Sequence, residues 1–92
     1  MRHLGKISGR GELLSSGASL GQAAYEIDVW EDRQAKLANG RLQSDGATLM
    51  QAFGVDTKLI LRTGEKIDIV VTRHFAPGGS AEIKVSGPVP GF

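Results

Sequence analysis

Two histidines, His3 and His74, are the side chains best suited to move protons near neutral pH. A nucleophile needs such a base within hydrogen-bond reach. His3 lies in the first residues and His74 ends an apolar run, and neither stands in a recognisable constellation. Serines are plentiful, but carboxylates fall mostly on the outward faces of strands. The expectation is a chain without catalytic residues and without a cofactor. Glu26, Asp28, Glu31 and Asp32 lie close together. Oxygen clusters of this kind bind calcium when a sharp glycine turn arranges them. No glycine falls between Glu26 and Asp32, so the reading is a solvated acidic face and no metal site.

The remaining chemistry is recognition. Arg10, Arg41, Arg62, Arg73 and Lys66 are candidate phosphate contacts. A single-strand nucleic-acid binder also needs aromatic platforms on which bases stack. Only five aromatic residues occur, and the net charge is +1, so nucleic acid is the weaker reading. Trp30 is the residue that points to a protein surface. In Gln22-Ala-Ala-Tyr-Glu-Ile-Asp-Val-Trp30, alternation groups Tyr25, Ile27 and Val29, leaving Trp30 with Glu26 and Asp28 on the outer face. Tryptophan is enriched at binding hot spots. Trp30, Arg41, Arg62 and Arg73 are therefore the candidate binding residues. The helix, the C-terminal tail or another chain is expected to cover Trp30.

The elements that position these residues are short and apolar on one side. Leu59–Leu61 and Ile67–Val71 flank Arg62-Thr63-Gly64-Glu65, which predicts a β-hairpin. Lys58, Arg62, Lys66, Asp68 and Thr72 face outward from it. Leu4 to Leu14 is a first strand, bent by Gly5, Gly9 and Gly11. Ser15 to Gly21 is a loop. It is rich in glycine, but a phosphate cradle needs a helix after it, and the next segment alternates as a strand. Glu31 to Gln34 is a turn. Leu37 to Gln43 is a third strand, with Asn39-Gly40 as a competing tight turn. Ala47 to Phe53 is a short helix, capped by Ser44 or Asp45 and ended by Gly54, with Leu49, Met50 and Phe53 as its apolar stripe. Phe75–Gly79 is a loop, Ser80–Ser86 a last strand, and Gly87–Phe92 an extended tail. Tyr25, Ile27, Val29, Leu42, Leu59, Leu61, Ile67, Ile69 and Val71 form one core.

This pattern predicts an all-β fold: a small antiparallel six-stranded barrel or roll, with one short helix between strands 3 and 4. Three strands, a helix and a hairpin resemble, in order, the OB-fold, a Greek-key barrel. The sixth strand departs from it. The resemblance implies single-strand nucleic-acid binding as the alternative function.

Ninety-two residues make one domain, 1–92. No cysteine is present, so neither disulfides nor thiolate metal sites arise. The start lacks the apolar run of a signal peptide, and no stretch approaches the ~20 apolar residues of a membrane span. The expectation is a soluble, cytoplasmic, non-catalytic binding module that self-associates, as a homo-oligomer, or takes a protein partner.

Overall fold

The computed structural model describes residues 1–33, 35–75 and 79–92, with only the backbone of His74 and Phe75. Gln34, residues 76–78, where the sequence predicts a loop, and the side chains of His74 and Phe75 lie outside the described residues. The elements are β1 (Arg2–Ser15), β2 (Ala18–Asp32), β3 (Ala35–Gln43), α1 (Gly46–Ala52), β4 (Thr57–Ile60), β5 (Lys66–Phe75) and β6 (Ser80–Val85). The strands close into an antiparallel barrel in the order β1-β2-β3-β6-β5-β4. The helix lies between the third and fourth strands, as the sequence predicts. The order follows the OB resemblance through β5 and departs at β6, which pairs with both β3 and β5.

Closure depends on glycine. Directly opposed residues of an antiparallel pair point to the same face, so Gly5, Ile7, Gly9, Gly11 and Leu13 face inward with Val29, Ile27, Tyr25, Ala23 and Gly21. A methyl on Gly11 would overlap the Ile60 carbonyl oxygen. A methyl on Gly9 would lie 2.9 Å from the Tyr25 hydroxyl oxygen, and one on Gly5 would lie 2.8 Å from the Phe92 ring. The glycines of β1 thus admit β4, Tyr25 and the C-terminal ring, each at its own level of the barrel.

Two plugs fill the ends. At the Gly21–Ala23 end, α1 inserts Leu49 and Ala52, both fully buried. At the Val29 end, the tail folds back on its own barrel, burying Val89 beside Ala38 and Val85. The expected core residues are all buried, including Leu61, which lies just beyond β4.

Several local expectations change. Ser15–Gly21 is not a loop: the strands meet at a two-residue turn, Ser16-Gly17, with φ of 52° and 80°. Two positive φ values match the right-handed twist of a hairpin. Likewise β2 runs on to Asp32 and β3 starts at Ala35, leaving Arg33, at φ 50°, in the turn. Asn39-Gly40 lies inside β3, where Gly40 packs against the Glu26 carbonyl. On α1 the buried residues are Thr48, Leu49 and Ala52, so Met50 (68% exposed) and Phe53 (49%) are not part of a core stripe.

Two predictions follow from these contacts. Gly11→Ala should lower stability by ~1–3 kcal/mol through overpacking at the seam, read by urea denaturation. Gly46→Ala, at a position with nothing within 4 Å, should cost nothing, and equal losses at both sites would remove the seam argument.

Asp45 caps α1 by accepting from the Thr48 N–H at 2.8 Å. That hydrogen bond holds the Asp45 carboxyl below the usual carboxylate range. A lowered folded-state pKa stabilises above the unfolded value, and the effect fades as pH falls through the folded one. Asp45→Ala should therefore lower the melting temperature at neutral pH, and the gap should close in strong acid.

Candidate functional site

The outer surface of the barrel carries its polar residues in ordered rows. The registers place Arg73 opposite Glu82, Glu82 opposite Arg41, Arg41 opposite Glu26, and Glu26 opposite Ser8. Lys6 reaches Glu26 at 3.1 Å. A belt of alternating sign thus crosses β5, β6, β3, β2 and β1. The Glu26 hydrogen bond, then the charges of Glu26 and Asp28, raise the Lys6 ammonium pKa above its ordinary value. Arg2–Glu31 at 2.7 Å and Lys58–Asp68 at 3.4 Å add further exposed pairs. The acidic face of β2 is therefore not simply solvated: basic residues of β1 and β3 border it on both sides.

The candidate residues do not form one site. Arg41 and Arg73 share the belt, one on each side of Glu82. Arg73 also borders a shallow apolar depression with Met50, Phe53 and Thr72. Arg62 lies elsewhere, in the turn between β4 and β5, where its backbone N–H donates to the buried Tyr25 hydroxyl at 3.0 Å. Lys66 lies on β5, opposite Ile60 of β4.

Trp30 is on the outer face, as alternation requires, and is partly buried. The helix plugs the far end, and the tail packs on the inner face of β2 at Val29. The His3 ring packs against Trp30, its centroid 4.7 Å away with the planes tilted at 57°. The His3 Nε2 is 3.0 Å from Asp28 Oδ1, which fixes the ring over the indole. Leu37, directly opposite Trp30 on β3, is 45% exposed.

His3 and Asp28 make a base and its orienting carboxylate, but no hydroxyl among the described residues completes them. Asp28 is the only hydrogen-bonding side-chain partner of His3 among the described residues. Gly17-Ala18-Ser19-Leu20-Gly21 has the Gly-x-Ser-x-Gly spacing of a nucleophile elbow. The elbow requires a strand-to-helix turn, whereas this segment is a hairpin turn entering β2. Ser19 Oγ donates to Glu12 Oε2 at 3.1 Å. No group of three or more His, Asp or Glu side chains among the described residues could hold a metal ion. No described helix is long and apolar enough to cross a membrane.

One feature was not anticipated from the residues. β1 pairs with β4 only through Glu12, Leu13 and Leu14. From Arg2 to Arg10, β1 has β2 on one side and no strand on the other among the described residues. No loop or tail backbone bonds to that edge there. Beside it, an opening in the barrel wall is lined by Ile7, Tyr25, Leu61, Arg62 and Pro90. Its sequence signal is the contrast between fourteen residues of β1 and four of β4. That contrast shows only once both strand boundaries are known.

Tyr25→Phe tests the contact that holds this opening. It should cost ~0.5–1.5 kcal/mol, a normal hydrogen bond, and speed amide exchange at Arg62 without exposing the core. An unchanged Arg62 amide would show that the turn stands without Tyr25.

Comparison with models of known protein families, with curated proteins and with solved structures returned no match.

Proposed function

We propose that this chain is a non-catalytic interaction module that binds another protein at the open end of its sheet. The observation carrying this reading is the conjunction found there. An unpaired strand edge lies beside an outward Trp30, with exposed Leu37 one strand further on. A tryptophan in such a place offers a large rigid contact with a polar handle. The cysteine-free composition fits a reducing, cytoplasmic setting.

A second copy of the chain is the weaker occupant. The outward residues along the free edge of β1 are basic or neutral: Lys6, Ser8 and Arg10. Pairing this edge with itself about a two-fold axis would set like charges opposite one another, which is destabilising. The nucleic-acid alternative also loses support, because Arg41 and Arg73 alternate with carboxylates instead of forming a basic stripe.

Trp30→Ala separates the cases. A partner recovered from native extract and identified by mass should be retained at least about tenfold less well by the variant. The mass in light scattering should not change, and stability should fall by under ~1 kcal/mol. A drop in oligomer mass would make self-association the function. Recovery of no protein, with salt-sensitive binding of an oligonucleotide instead, would replace this reading by the nucleic-acid one.

A further inference from the structure

We propose that the free edge of β1, from Arg2 to Arg10, takes an extended segment of the partner as an added strand, and that this segment is acidic at alternate positions. The proposal rests on the protein-interaction reading above and names its partner's chemistry. A strand left unpaired on one side presents backbone N–H and C=O groups at every second residue. Over nine residues, at ~3.3 Å each, the edge spans about 30 Å, and the part from Arg2 to Ser8, clear of the β4–β5 turn at Gly9, spans about 23 Å. An ordinary strand of five or six residues, ~17–20 Å long, fits within it. Strand addition of this kind takes its affinity from main-chain hydrogen bonds and its specificity from alternate side chains.

The side chains of β1 state what those alternate positions should be. Outward lie Lys6, Ser8 and Arg10, all exposed. Arg10 makes no hydrogen bond or ion pair among the described residues. Across the opening stands the exposed Arg62, with its Cβ 3.4 Å from where a Cβ on Gly9 would be. Glu65 is the acidic residue on the same rim. Lys6 is engaged by Glu26 at 3.1 Å, so Arg10 and Arg62 stand against the one carboxylate of Glu65 and favour acidic residues on the outer face of an added strand. Lys6 and Arg10 are four residues apart, so acids four places apart in the peptide would face them. Inward, the strand would meet Ile7 and the glycines of β1, over an opening floored by Tyr25, Leu61 and Pro90. That side accepts small apolar residues.

The probe is a synthetic alternating Glu–Val peptide of about seven residues, slightly longer than an ordinary strand. It is compared with its Lys–Val counterpart, with two Glu–Val peptides N-methylated at one or the other set of alternate residues, and with a single-stranded oligonucleotide. Amide hydrogen exchange should show alternate residues of 2–10 gaining protection with the Glu–Val peptide. Protection should be lost with whichever N-methylated form blocks the bonding edge. Arg10→Glu, at an exposed position without a partner, should weaken the Glu–Val peptide about three- to tenfold and leave the melting temperature unchanged. Equal binding of the Lys–Val peptide would overturn the charge assignment. Binding without protection of residues 2–10 would overturn strand addition. Protection by the oligonucleotide alone would give the edge to nucleic acid. If the peptide fails while Trp30→Ala still loses a native partner, the edge proposal falls and the interaction reading stands. If the peptide fails and no partner is found, both fall.

Discussion

The close approach of β4 to a glycine-lined β1 is the constraint on which this barrel depends. A barrel of six strands encloses little volume, and bulky side chains on every inward position would not fit. β1 solves this by contributing Gly5, Gly9 and Gly11 to the interior, with Ile7 and Leu13 as its inward apolar residues. The space is then filled from other elements: Tyr25 from β2 and Phe92 from the tail. At Gly11 the Ile60 backbone itself comes against the strand, with the Leu59 side chain beside it. Packing at native density leaves no room for one more methyl at such a site.

Much of this was legible in the residues. Period-two alternation in β2, β4 and β5 identified the core and put Trp30 outside, because a one-residue slip would reverse every face. Asp45 and Gly54 bracketed α1, and Gly54 does take a positive φ of 76°. What stayed hidden depended on long-range geometry. The Ser16-Gly17 turn has no Asn-Gly signature, since Ser16 adopts a left-handed conformation that serine seldom takes alone. Met50 looked like core because i, i+1 and i+4 share a stripe. A seven-residue helix plugging a barrel end buries a narrower face, and Ala52 filled it. Two of the candidate arginines, Arg41 and Arg73, fell on one charge row because β6 supplies Glu82 between them. Nothing local to either arginine announces that. Arg62 was placed by the Tyr25 hydroxyl, a contact across 37 residues of sequence.

The charge belt bears on function as well as on the surface. Exposed ion pairs contribute little stability each, and Lys6–Glu26 and Lys58–Asp68 are both well exposed. Their arrangement matters more for recognition. Alternating rows cancel the field over β2, β3 and β6, so a polyanion meets no continuous attraction there. The place where cations outnumber carboxylates is the rim of β1 and the β4–β5 turn, with Arg10 and Arg62. Charge selectivity and the unpaired backbone therefore coincide.

That coincidence has one structural origin. β4 is four residues long, and after Ile60 the chain turns away, Leu61 N–H donating to the Glu65 carbonyl at 2.7 Å. A longer β4 would have continued along β1 past Gly11 and sealed the wall. Instead the hairpin leans over Gly9, pinned by the Tyr25 hydroxyl, and the rest of β1 continues unaccompanied. The tail could have sealed the same gap, but it passes beneath the strand as a plug. Its prolines, Pro88 and Pro90, lack the N–H groups that a ladder needs. Natural sheets blunt a free edge with charge, and Lys6 and Arg10 on β1 act in that way. The residues that would keep this edge from pairing with itself are the same ones that would select the acidic strand we propose.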